Sequence, residues 1–187
     1  SGINPTIFGA VFESTLNQET RKEGGMHYTA RENIHKVIDP LFLDDLKAEL
    51  EEAKNTPVAG GARMRRLRAF QDKLASLSFM DCSAGSGNFL TESYMSLRRL
   101  ENEVIQYLTG AVEGQMMLDN MDNEAIGVKV SISQFYGIEI NDFAVAVAQT
   151  AMWIAEAQML QETKGSSHIS QDFLPLKTKA NIVEGNA

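Results

Sequence analysis

The sequence predicts an α/β fold, a parallel sheet with helical crossovers, preceded by an α-helical amino-terminal segment. Three observations carry that reading. An apolar run, Leu77-Ser-Phe-Met80, leads into the glycine-rich turn Asp81-Cys-Ser-Ala-Gly-Ser-Gly-Asn-Phe-Leu90 and then into a long helical pattern. A second apolar strand, Phe135-Tyr-Gly-Ile-Glu-Ile140, is also followed by a helical pattern. A third short strand is expected at 181–184. Strands alternating with helices favour a parallel sheet with right-handed crossovers.

The first 22 residues read as helical, with Ile7, Phe8, Val11, Phe12 and Leu16 at helix spacing. Gly24-Gly25 break that run. A helix is expected from about Ala30, with Ile34, Val37 and Ile38 on one face, and Pro40 should bend it rather than end it, because 41–53 also reads as helical. Asn55-Thr-Pro-Val-Ala-Gly-Gly61 is a loop by its proline and glycines, and 62–77 is the next helix. The first strand is expected at 78–82. A helix at 87–109 follows, with Leu90, Leu97, Leu100, Val104 and Leu108 as its apolar stripe. Residues 110–129 read as an irregular or short-helical insertion. The helix at 142–162 is apolar almost all round and should be heavily buried. Lys164-Gly-Ser-Ser167 reads as a loop.

Composition bounds the function classes. The chain has 187 residues, 43% of them hydrophobic and 22% charged, which suits one domain with a sizeable core. Its single cysteine cannot form an internal disulfide. No signal peptide is visible and no apolar stretch of membrane-spanning length lacks charge, so a cytoplasmic location without membrane partners is expected. The formal net charge of −8 disfavours strong DNA contact by this chain alone, because phosphate contacts need basic surface.

Gly85 and Gly87 allow positive φ and close approach of a ligand to the backbone. The turn would aim backbone N–H groups and a helix N-terminus at an anionic or nucleotide-like group. A dinucleotide fingerprint needs a third glycine, where this chain has Leu90, and an acid about 20 residues after the loop. A P-loop needs a lysine that does not follow Gly87. A purely structural strand-to-helix turn is the plain alternative. Glu139 stands near the end of the second strand, where open α/β sheets bind ligands. Asn141 and Asp142 are better placed to cap the next helix, which leaves Glu139 available for ribose hydroxyls.

These segments together resemble the S-adenosylmethionine-dependent DNA methyltransferases that modify exocyclic amines. Asp81 to Phe89 is similar to the family's [DN]-P-x-x-G-x-G-x-F motif, and Tyr136-Gly-Ile-Glu-Ile140 to its second motif. Gly25-Met-His-Tyr-Thr-Ala30 resembles the "xYTP" segment of adenine methyltransferases, and Asn181-Ile-Val-Glu-Gly-Asn-Ala187 the strand that reaches the cofactor's adenine. The flavour is that of fused restriction–modification enzymes, through His27 to Phe42 and Tyr136 to Trp153. The resemblance implies a Rossmann-like class I methyltransferase sheet with S-adenosyl-L-methionine as cofactor. It divides the chain into a helical segment, 1–77, carrying Tyr28 and Thr29, and the first half of the cofactor-binding domain, 78–187.

It also implies the site. Asp81 and the backbone at Ser83, Ala84 and Gly85 would face the methionine part, with Gly87, Asn88 and Phe89 completing the motif. Glu139 would bind the ribose and Ile140 pack on the adenine. Asn186 would hydrogen-bond the adenine amine, and Thr29, beside Tyr28, would approach the cofactor's carboxylate. The acceptor would be adenine in double-stranded DNA, held by other parts of a longer protein. Two departures stand out. Cys82 replaces the motif's usual proline. The catalytic [DNS]-P-P-[FYW] motif is missing, since Pro5, Pro40, Pro57 and Pro175 include no adjacent pair. The expectation is therefore a sheet truncated before that motif, in a fragment that does not itself transfer methyl groups.

Other residues read more plainly. Cys82 is expected to be a buried structural thiol. His27, His35 and His168 lack metal-ligand spacing. Arg63, Arg65, Arg66 and Arg68 are expected to pair with the acidic run Asp44, Asp45, Glu49, Glu51 and Glu52 rather than with phosphates. Trp153 and Met152 read as core, and Met116 and Met117 are open. A nicotinamide-dependent oxidoreductase domain, a methyltransferase acting on RNA or protein, and a non-enzymatic module remain as alternatives. The oligomeric state is left open.

Overall fold

Apolar residues at helix spacing bring the first described elements onto a common core. The computed structural model describes residues 29–58, 61–115, 126–166 and 180–186. Helix α1 (Arg31–Ile38) runs through a π-helical turn (Asp39–Leu43) into α2 (Asp44–Lys54). Pro40 explains the wide turn. It has no N–H to donate and its ring crowds the preceding turn, and the chain continues by widening, with the Asp44 N–H reaching the Asp39 carbonyl. Ile34, Ile38, Leu43, Leu46, Leu50 and Ala53 are buried along one face. The loop after α2 ends at Gly61, whose φ of 67° opens α3 (Ala62–Ser76). Leu67, Phe70 and Leu74 of α3 pack into the same core.

For Arg63 and Arg66, the expected pairing with the acids of α2 is corrected in its partners. Glu49 pairs with Lys73, and Asp44 and Glu51 with Lys47 and Lys54 of their own helix. Arg63 donates instead to the Thr56 carbonyl at 2.7 Å, and Arg66 to the Thr56 hydroxyl at 3.3 Å. Thr56 of the α2–α3 loop thus takes two guanidinium groups that the sequence assigned to the acids of α2.

Three strands follow: β1 (Phe79–Asp81), β2 (Phe135–Glu139) and β3 (Asn181–Glu184). They are parallel in the order β1-β2-β3, with Asp81 level with Gly137 and Glu139 level with Glu184. The crossovers are α4 (Asn88–Gln115) and α5 (Asp142–Ser166), and the two helices pack on each other and on the sheet. Crossovers of one hand that step the same way across a sheet place their helices on one face. Phe135 and Ile182 are buried toward that face, whereas Met80, Tyr136 and Val183 are exposed on the other.

Aromatic rings join the amino-terminal helices to the sheet. Phe42 lies 4.9 Å from Phe79, Phe79 stacks on Phe135 at 5.1 Å, and Tyr94 of α4 meets Phe135 edge-on at 5.6 Å. Burial pushes the Tyr94 phenol's pKa up, so it packs as a neutral ring. The helices outrun their sequence boundaries. Helix α4 continues through Gly110 and Gly114 into the segment read as irregular or short-helical, because each glycine costs only about 1 kcal/mol, against a long docked helix. Helix α5 absorbs Lys164, Gly165 and Ser166, read as loop. It is held there by Thr163, whose hydroxyl bonds the Met159 carbonyl, Asn102 and Arg98.

Burial of α5 is narrower than expected. Ala144, Val147, Ala148, Ala151, Met152, Ala155 and Met159 form its buried stripe, while Trp153 and Ile154 are only half-buried. By length and composition alone, Asp142–Lys164 is long and apolar enough to cross a membrane, yet it serves as a crossover packed on the sheet. The expected amino-terminal helix over the first 22 residues lies outside the described residues, as do Met116 and Met117.

A buried polar cluster ties three helices to the chain entering β2. The Glu101 carboxylate accepts from Arg98, from Gln71 of α3 at 2.9 Å, and from the backbone N–H groups of Lys129 and Val130 at 2.5 and 3.1 Å. Arg98 and Glu101 are fully buried. Glu101→Ala is therefore expected to destabilise the chain by about 3–5 kcal/mol, since it strands a buried guanidinium. Urea unfolding checks this, and an unchanged midpoint would remove the cluster's structural role. Gly87 adopts φ 76°, and a Cβ there would meet the Ala148 Cβ at 2.8 Å. Gly87→Ala should lower stability by about 2–4 kcal/mol through strain and crowding between α4 and α5. Thermal unfolding reads that loss directly.

Candidate functional site

The carboxyl ends of the three strands form the candidate site, and local rules place each group there. Asp81 ends β1 and its Oδ1 accepts the Ser83 N–H at 3.0 Å, an Asx-type contact that turns the chain away from the sheet. The Ala84 N–H then returns to the Ile138 carbonyl at 3.0 Å, docking the loop on β2. Gly85 takes φ 53°, and nothing lies within 4 Å of where its Cβ would stand. The Gly87 N–H bonds the Ala84 carbonyl at 2.8 Å and starts α4. Gly137 of β2 makes this docking possible. A Cβ there would sit 3.0 Å from the Ala84 methyl and 3.1 Å from Leu90.

Glu139 occupies the centre and is 7% exposed. Its Oε2 accepts the Gly85 N–H at 2.7 Å and its Oε1 the Asn141 N–H at 3.0 Å. Its carbonyl accepts the Gly185 N–H at 2.9 Å, which ties it to β3. The sequence reading left this carboxylate unengaged; in the fold both oxygens are already held. Each keeps a further lone pair, so a hydroxyl-bearing ligand can still be received. The capping expectation holds beside it, with Asn141 Oδ1 accepting the Ala144 N–H at 3.1 Å.

The fold thus brings Asp81, Ser83, Ala84, Gly85 and Glu139 into one hydrogen-bonded group. Ala84, Gly87 and Asn88 are buried, and Phe89 packs partly buried against the core. Ile140 is 68% exposed directly beyond Glu139. Asn186 is exposed one residue past Gly185, at the same edge of the sheet. Thr29 is half-buried just ahead of α1, and Tyr28 lies outside the described residues. Cys82 is exposed, not buried as expected, because the Asp81 turn carries it out of the sheet before the loop docks again.

Sequence reasoning missed Glu92. Fully buried on α4, its Oε1 accepts from Arg31 at 2.8 Å and His35 at 3.0 Å, with Arg99 at 3.5 Å. Helix spacing places Glu92 opposite the stripe of Leu90, Leu97 and Leu108, on the face with Arg99 and Glu103, so no local signal marked it as buried. His35 and His168 were weighed only as metal ligands. His35 instead bridges Glu92 and Asp39, and His168, like His27, lies outside the described residues. Among the described residues, no three His, Cys, Asp or Glu side chains converge as a metal site. Open depressions of 840 and 570 Å³ along α2 and α3 share Ala48, Glu52 and Arg66 in their lining, and they include no group from the strand ends.

The site is thus an acid at the end of the middle strand, bonded to a glycine loop that opens a crossover helix. Comparison with known proteins places the chain in a family. Residues 51–187 match the family described as MmeI, DNA-methyltransferase domain. DNA methyltransferase A of Bacillus subtilis is 38% identical over 186 residues, 99% of this chain and 19% of that protein. The solved structure of the type IIL restriction-modification enzyme MmeI in complex with DNA superposes with a TM-score of 0.81 at 36% identity, covering 98% of this chain and 23% of that one. This chain therefore spans about a fifth of each relative's length, and over that span the glycine loop and its partner acid sit in a methyltransferase sheet. The chain belongs to the MmeI DNA-methyltransferase domain family.

Proposed function

We propose that this chain binds S-adenosyl-L-methionine. In a longer restriction–modification protein of the cytoplasm, it would serve methylation of the exocyclic amine of adenine in double-stranded DNA. The observation that carries the reading is the Glu139–Gly85 contact at the strand ends, with exposed Ile140 beside it. An acid next to an apolar platform suits a ribose with its attached base. The open space above Gly85 suits a ligand pressed against the backbone.

When bound, the cofactor supplies an activated methyl group on a sulfonium. This chain's residues do the holding. Glu139 accepts ribose hydroxyls through its remaining lone pairs, and Ile140 covers one face of the adenine. Asn186 meets the adenine amine. Asp81 and the loop backbone at Ser83, Ala84 and Gly85 take the methionine end, over the turn built by Gly87, Asn88 and Phe89. Thr29, with Tyr28, approaches the methionine carboxylate. Orientation of donor and acceptor is the main source of rate in such a transfer. No residue of this chain is assigned to the transfer itself, and the flipped base and the DNA phosphates are assigned to other parts of the protein. With a net charge of −8, this chain is a cofactor holder more than a DNA binder.

Calorimetric titration tests the reading. S-adenosylmethionine should bind and NAD should not; binding of NAD alone overturns the proposal. Glu139→Ala is expected to weaken cofactor binding by about 10- to 100-fold, the range for lost hydrogen bonds to a charged group. Glu139→Gln, which keeps one acceptor, should fall between. For the acceptor, the full-length protein with labelled cofactor should place label on adenine of duplex DNA. Label on cytosine, RNA or protein would reassign the substrate.

A further inference from the structure

We propose that Glu92 is a positioning residue for the cofactor, a buried clamp that holds the start of α1, and with it Thr29, at a fixed offset from the glycine loop. The inference rests on the cofactor reading above and deepens it. Glu92 lies one helical turn beyond Asn88, where α4 leaves the loop. Its side chain is fully buried, and its Oε1 carries every contact: Arg31 Nε at 2.8 Å, His35 Nε2 at 3.0 Å and Arg99 at 3.5 Å. Its Oε2 has no hydrogen-bond partner among the described residues. A buried carboxylate depends on its cations for compensation, so this one holds tightly to whatever supplies them.

Two of the three donors come from α1. Arg31 is that helix's first residue and stands two positions after Thr29. His35, one turn on, is itself fixed from the other side by Asp39 at 2.8 Å. Ile34 and Ile38 bury α1 against the core, but apolar contacts set separation better than they set sliding or rotation. Directed charge-assisted hydrogen bonds fix both. Both ends of the clamp are therefore close to cofactor groups: the loop on one side and Thr29 on the other. Glu92 touches no proposed ligand position and acts only through this alignment.

The test uses the full chain and two ligands, S-adenosylmethionine and methylthioadenosine, which lacks the amino-acid half. Arg31→Ala and Glu92→Gln are each expected to weaken S-adenosylmethionine binding by about tenfold. Methylthioadenosine binding should stay unchanged, since Thr29 faces only the methionine end. Arg31→Lys should retain most of the affinity. Arg31 is 44% exposed and its removal leaves His35 and Arg99 on Glu92, so its variants are expected to fold even if Glu92→Gln does not. Equal loss for both ligands would mean a merely structural role and overturn the clamp, as would no loss in Arg31→Ala. A wild-type chain that binds neither ligand overturns the cofactor reading itself, and the clamp with it.

Discussion

Glu139 joins the glycine loop, the start of α5 and the chain after β3 at one point, beyond the strand ladder and the Ala84–Ile138 bond. Its backbone lies in the middle strand, and its carbonyl holds Gly185 after β3. Its two side-chain oxygens hold the glycine loop after β1 and the start of α5. One residue therefore contacts the chain leaving each of the three strands. A parallel sheet leaves the groups at its carboxyl end without ladder partners, and side chains or ligands must satisfy them. Here the acid does this for two backbone N–H groups while presenting a partly free carboxylate in the same place. Structural and ligand-binding roles share the residue because both need an acceptor fixed at the strand's end.

Helix α4 is the second organising element. It carries Glu92, Arg98 and Glu101, all fully buried and all ionisable. Such groups contribute little net stability, but each directs its partners to one arrangement. Glu92 takes α1, Arg98 takes α5 through Thr163, and Glu101 takes α3 and the chain entering β2. Four separate segments are thus registered against the helix that starts at the glycine loop. The apolar core alone, continuous from Ile34 to Ile182, would tolerate small slides of those segments.

The sheet is covered by helices on one face, and Met80, Tyr136 and Val183 are exposed across the other. Parallel sheets are ordinarily covered on both faces. The chain spans 19% of the Bacillus subtilis relative and 23% of the MmeI chain.

Much of the fold was legible in the sequence because its signals are local. Apolar runs marked three strands within a residue or two, Gly85 and Gly87 marked the turn by their need for positive φ, and Asn141 marked a helix start. The position of Glu139 after an apolar run pointed to the carboxyl edge of a sheet. Tertiary structure decided which groups those residues meet. Arg31 and Glu92 are 61 positions apart, and Gly85 and Glu139 are 54 apart. No periodicity encodes such pairings. The same limit explains the misread helix ends, where docking outweighed a glycine's intrinsic preference, and Cys82, whose exposure follows from the turn that Asp81 makes. Backbone preference and hydrophobic spacing act over a few residues and fix the elements. Burial and charge compensation act across the assembled core and fix the site.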